Sequence, residues 1–146
     1  MKAAEISLSA LDVEWRRIEI IAQNLANANT TRTADGSVYR PRHLISGPAG
    51  DFRAMLDATH AAEPTAASGL RGVAVYGIEF QNRPSRYVYD PDSAEADARG
   101  MVSLPNVDEA REMTSLIKTE RAYEANLAAL NIARQMYAKA LELGKA

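Results

Sequence analysis

No cysteine occurs among the 146 residues, which excludes disulfide stapling, thiolate metal ligation and cysteine nucleophiles. Histidine is nearly as scarce: His43 and His60 stand alone, and neither has His-Glu-x-x-His spacing, so a zinc site would lack ligands. Aromatic residues are only 6% of the chain, with the single tryptophan at Trp15, which favours close helix contacts through small side chains over a bulky core. Neither sign of charge dominates. The formal net charge is -2, so no broad basic field exists to attract nucleic acid or anionic lipid. No run of about 18 apolar residues is present to span a bilayer. Glu5, Asp12, Glu14, Arg16, Arg17 and Glu19 interrupt the first turns, so a cleaved signal peptide is not expected, and a signal-less route of export stays open.

The usual chemical motifs are missing as well. Gly47, Gly50, Gly69, Gly72 and Gly77 form neither Gly-x-Gly-x-x-Gly nor a phosphate-binding loop. Asp90, Asp92, Glu95 and Asp97 suggest calcium at first sight. Ala94 and Glu95 fall where an EF-hand needs a ligand and a glycine, so a solvated turn accounts for them better. No catalytic cluster, metal or cofactor is expected, and an enzyme is disfavoured.

What the chain does have is helical periodicity at both ends. Over residues 4–28, Leu8, Leu11, Trp15, Ile18, Ala22 and Leu25 recur at spacings of 3, 4, 3, 4 and 3, a heptad seam that calls for a partner helix. Ile6, Val13, Ile20 and Ile21 lie off that seam, so the apolar surface is wider than one partner requires. From residue 107 to about 143, Met113, Leu116, Tyr123, Leu127, Leu130, Tyr137 and Leu141 hold heptad places, with Glu120 and Arg134 interrupting them. A second stripe of Ala122, Ala125, Ala129, Ile132, Met136 and Leu143 offers a small-residue surface to another helix. At 1.5 Å per residue the helices would be about 36 Å and about 55 Å long, which overreaches a compact domain of this size.

Between them the sequence is rich in turn residues. Residues 32–72 read as loop, with a weak helical pattern at 52–56 and a small-residue stretch at 61–72. Residues 73–80 alternate as a strand does, and 86–89 form a second β-rich run beyond Pro84, so a hairpin joining these two is expected. Asn24, Asn27, Asn29 and Thr30 crowd amides and a hydroxyl at the end of the first helix, more than a helix cap needs, and an inter-subunit hydrogen-bonding role is expected for them.

The run from Ile18 to Thr31, with Asn24-Leu25-Ala26-Asn27-Ala28-Asn29-Thr30, resembles the N-terminal signature of the bacterial flagellar rod and hook protein family. Arg121-Ala122-Tyr123-Glu124-Ala125-Asn126, followed by Leu130-Asn131-Ile132-Ala133, is similar to the matching C-terminal signature. Tyr89-Asp90-Pro91, Gly100-Met101-Val102 and Leu104-Pro105-Asn106-Val107 resemble the proximal rod members in particular, whereas residues 43–70 match nothing in that pattern.

The resemblance implies a structural subunit of the proximal rod in the periplasmic basal body, secreted uncleaved by the flagellar type III apparatus and stacked with its own copies, other proximal rod proteins, the basal adaptor protein and the distal rod protein. Another rod-family component, or a soluble helical adaptor, is the alternative. The expected architecture is mainly α: terminal helices at 1–31 and 107–146 form a coiled coil, and residues 32–106 form a loop-rich insert with a short β-hairpin. The seam positions would carry packing, Asn24, Asn27, Asn29, Thr30, Arg121, Ala122, Asn126 and Asn131 assembly, and Tyr89, Asp90, Pro91, Pro105 and Asn106 the insert motif.

Overall fold

The computed structural model describes residues 2–50 and 71–144. Two long helices, α1 (Lys2–Ala26) and α2 (Glu109–Leu143), flank four strands: β1 (Arg42–Pro48), β2 (Val73–Phe80), β3 (Arg86–Tyr89) and β4 (Met101–Leu104). The expected helical turn at 52–56, His60 and most of the 61–72 stretch lie outside the described residues.

No proline or glycine interrupts α1, so its backbone ladder can run unbroken until the asparagines begin. There the helix tightens: Ala28 N–H donates to the Leu25 carbonyl at 3.2 Å and Thr30 N–H to the Asn27 carbonyl at 3.1 Å, the short-range pattern that satisfies terminal carbonyls. The second helix starts at a defined cap. Asp108 accepts the Arg111 N–H on Oδ1 at 3.0 Å, and its carbonyl accepts the Glu112 N–H at 2.9 Å. Glu109 and Glu112 in the first turn complement the positive end of the helix.

The strands form two separate two-stranded sheets, β1 with β2 and β3 with β4. This corrects two expectations. The run at 73–80 pairs with 42–48, inside a stretch read as loop, and the run at 86–89 pairs with 101–104; the two do not form a hairpin together. Pro41 and Ala49 close the first ribbon, the former accepting the Gln81 N–H and the latter donating to the Gly72 carbonyl, both at 2.7 Å. Gly47 is required by its neighbour in that ribbon: a Cβ there would lie 2.6 Å from Tyr76 Cε2, while the Tyr76 hydroxyl donates to the Pro48 carbonyl at 2.6 Å. The second pair is antiparallel, with Arg86 opposite Leu104 and Tyr89 opposite Met101.

A tight turn closes β3 onto β4. Asp97 Oδ1 accepts the N–H groups of Arg99 at 2.8 Å and Met101 at 2.9 Å, which gives that carboxylate a structural role in place of cation ligation. Gly100 sits at φ +72, and a Cβ there would lie 2.9 Å from Tyr89 Cε2 and 3.2 Å from Pro91 Cβ. Gly100→Ala therefore combines left-handed strain with a clash. It should lower unfolding stability by about 1–2 kcal/mol in denaturant titration.

The chain divides into two compact units, one of Met1–Trp15, Ser46–Tyr76 and Arg121–Ala146, the other of Arg16–Ile45 and Gly77–Glu120. In the first, Leu11, Val13 and Leu130 are buried. In the second, Ile20, Ile21, Asn24, Ala28, Val102, Pro105 and Thr119 are buried.

Candidate functional site

The row of α1 that sinks deepest contains Val13, Ile20 and Asn24, which share a helix face with Ile6 and Ser9 at helical spacing. Polar side chains on this face hold backbone groups of the insert. In the first unit, Ser9 Oγ accepts the Val73 N–H at 3.0 Å and donates to the Ile6 carbonyl at 2.7 Å. Gly72 lets the chain come this close, since a Cβ there would fall 2.2 Å from Ser9 Oγ.

In the second unit Asn24 is 1% exposed, and its amide is fully engaged. Nδ2 donates to the Arg42 carbonyl at 2.8 Å and to Glu112 Oε2 at 3.2 Å, while Oδ1 accepts the Tyr39 hydroxyl at 2.9 Å and the Arg42 N–H at 3.0 Å. Two donors and two acceptor sites are all an amide offers. Within one chain, Asn24 therefore clamps α1, the start of β1 and the first turn of α2.

The other amides of the motif stay local. Asn27 Nδ2 donates to the Gln23 carbonyl at 2.8 Å, and its Oδ1 accepts from Thr30 Oγ1 at 3.3 Å. Asn29 is exposed. On α2, Arg121 pairs with Glu124 at 3.0 Å on an exposed surface, Asn126 Nδ2 donates to the Ala122 carbonyl at 2.9 Å, and Asn131 is exposed. Asn106 Nδ2 reaches the Pro84 carbonyl at 3.0 Å, while Tyr89, Asp90 and Pro91 are exposed. Arg32 pairs with Glu95 at 3.3 Å.

Heptad positions divide between covered and bare. Leu11 and Leu130 are buried, and Ile18, Leu25, Leu116 and Tyr123 are half-buried. Leu8, Met113, Tyr137 and Leu141 are exposed, as is Trp15 at 54%, although its ring meets Tyr123 with centroids 6.3 Å apart. Leu127 is 42% exposed. Ile132, Met136 and Leu143, on the opposite side of α2 from Leu127 and Leu130 by helical spacing, are exposed too, Met136 at 67%. The apolar residues of α2 ring the helix and define no single face.

In the exposed turn at 33–37, local hydrogen bonds shift an aspartate carboxyl. Hydrogen bonds from the Thr33 hydroxyl, then from the Ser37 hydroxyl and N–H, hold the Asp35 carboxyl below the usual aspartate range. A lowered folded value means that the turn gains stability above the unfolded aspartate value, and loses it as pH falls through the folded one. Carboxyl-carbon NMR titration should find Asp35 low, and Thr33→Val should raise it.

No helix among the described residues is long and apolar enough to cross a membrane, and no group of three or more potential metal ligands occurs among them.

The two helical ends are the segments that match known families. Residues 5–32, α1 and its asparagine turn, match the flagella basal body rod protein model, and residues 98–143 match the model for the C-terminal region of flagellar basal body rod FlgEFG proteins. These matches define a flagellar rod class of chain. The flagellar basal-body rod protein FlgC of Escherichia coli O6:H1 is 36% identical over 97% of this chain and 95% of its own length. That of Bacillus subtilis is 34% identical over 96% and 95%, and that of Agrobacterium fabrum 30% identical over 99% and 94%. The chain belongs to the FlgC family of flagellar basal-body rod proteins.

Proposed function

We propose that this chain is a structural, non-catalytic subunit of the flagellar basal-body rod, and that it polymerises through its two terminal helices. Family membership supports the location in the rod. The observation that carries the mode of assembly is the apolar surface left bare on both helices: Leu8 and Trp15 on α1, and Met113, Leu127, Ile132, Met136, Tyr137 and Leu141 on α2. Apolar area of this kind, grouped along a helix, is covered by partner helices in an assembly.

The assembly is a coiled-coil layer in the periplasmic proximal rod, where seam positions pack within and between copies. Its neighbours are its own copies, other proximal rod proteins, the basal adaptor protein and the distal rod protein. Export proceeds through the flagellar type III apparatus without cleavage, and torque passes through the summed helix contacts.

Deletion of the gene should leave cells without rods and non-motile, with both restored by the wild-type chain and the chain recovered in purified basal bodies. Motile deletion cells, or basal bodies free of the chain, would contradict the assignment. A chain that stays a discrete one-to-one complex at rising concentration in sedimentation would support a soluble adaptor instead.

A further inference from the structure

We propose that an arginine-lined cleft in the second unit receives the acidic β3–β4 turn of a neighbouring copy, a contact that rests on the rod reading and gives it a head-to-tail joint. The cleft encloses about 530 Å³, and Arg17, Arg42, Arg83, Arg111, His43 and Glu112 supply its charged and titratable groups. Four arginines and one glutamate thus line the cleft, in a chain that is otherwise slightly acidic. Glu112 is already engaged by the Asn24 amide and Arg42 by the Gln23 side chain. The guanidiniums of Arg83 and Arg111 have no hydrogen-bonded or ionic partner among the described residues. Both side chains are exposed, and forked donors of this type match carboxylates.

The complementary group is on the same unit. The turn after β3 presents Asp90, Asp92, Glu95 and Asp97, with Arg99 as its only basic residue. Glu95 is paired to Arg32, and Asp97 holds backbone N–H groups. The exposed carboxylates of Asp90 and Asp92 have no such partner among the described residues. The turn is already shaped: Asp90 N–H donates to the Gly100 carbonyl at 2.9 Å, and Ala96 N–H to the Ser93 carbonyl at 3.1 Å. Little ordering is therefore needed on docking.

Among the described residues, no ion pair joins Asp90 or Asp92 to the cleft within one chain. Arg83 lies just before the end of the ladder where Arg86 faces Leu104, whereas the acidic turn leaves from the other end, where Tyr89 faces Met101. That ladder holds the two apart by about 10 Å of strand. Basic cleft and acidic turn are different surfaces, so their union is heterologous, the kind of contact that builds an open helix wherever its rotation does not close into a ring.

Because the chain has no native cysteine, Arg83→Cys and Asp92→Cys copies can be expressed together and treated with a short bis-maleimide in intact flagellated cells. A cross-linked dimer should appear in basal bodies only when both variants are present. Arg111→Glu should lower incorporation into basal bodies, and Asp92→Arg in a co-expressed copy should restore it. Basal bodies that contain the chain but yield no mixed dimer, a dimer formed by either variant alone, or full incorporation of Arg111→Glu would overturn the contact while leaving the rod reading intact. Absence of the wild-type chain from basal bodies would instead overturn the rod reading itself.

Discussion

Replacing Asn24 by leucine should cost the second unit about 3 kcal/mol or more, the largest single-residue effect expected in this chain. The substitution keeps the branched shape and heavy-atom count but removes four hydrogen bonds at once, and the Arg42 N–H and carbonyl, the Tyr39 hydroxyl and Glu112 Oε2 each lose a partner. Water reaches this position poorly, since Asn24 is buried. Each unsatisfied buried group costs roughly 1–3 kcal/mol. Asn24→Asp is also expected to destabilise: its oxygens can still accept from Tyr39 and Arg42 N–H, but the second oxygen then faces the Arg42 carbonyl and the Glu112 carboxylate. Tyr39→Phe removes one bond and should cost about 1 kcal/mol. Denaturant midpoints for the three variants rank the loss, and an Asn24→Leu protein as stable as wild type would show that the amide clamp is not what joins the elements of this unit.

Leu127→Asp should have the opposite profile, leaving the isolated chain intact while abolishing rod assembly. At 42% exposure Leu127 tolerates a carboxylate in the free chain, where surface substitutions usually shift stability by within about 0.5 kcal/mol. Once a partner helix covers the position, the same carboxylate must be desolvated without a partner, which costs several kcal/mol per copy. The variant should be expressed and exported normally, give non-motile cells in soft agar and be missing from purified basal bodies. Swimming at the wild-type rate would refute helix packing over that face. Leu130→Asp is the informative contrast. That residue is buried within the chain, and the substitution should destabilise the subunit before assembly is reached.

The two helices were legible because apolar periodicity and the lack of internal proline or glycine are local signals. The apolar runs at 4–28 and 107–143 lie within two residues of Lys2–Ala26 and Glu109–Leu143, whereas the terminal segment taken as 1–31 extends five residues beyond Ala26. Strand pairing was not legible in the same way. Proximity in sequence favours 73–80 with 86–89, but the ladder partner of β3 comes after the Asp97 and Gly100 turn, whose hydrogen bonds return the chain antiparallel. For β1, Gly47 and Pro48 disguise a strand as a loop, and the reason for the glycine, the ring of Tyr76, lies in a distant segment.

The buried row of α1 is hard to read from sequence for a related reason. A search for apolar repeats favours Leu8, Leu11, Trp15 and Leu25, yet the face that recognises the insert is punctuated by Ser9 and Asn24, which read as polar and are anchored to backbone. Glu112 and Thr119 carry no sequence signal of their own. An asparagine at a core spacing is the one cue that could have pointed to the clamp, and the crowding of amides after it drew attention towards neighbours instead.

The central claim is that the terminal helices carry apolar surface which the subunit leaves bare and the rod covers. Cysteine accessibility tests it directly, since the chain supplies no background thiol. Met136→Cys, introduced at a position 67% exposed on α2, should react quickly with a water-soluble maleimide in the isolated chain and be strongly protected in purified basal bodies. Equal reaction rates in the two states would mean that this helix face stays open in the rod, and the account of assembly given above would be wrong.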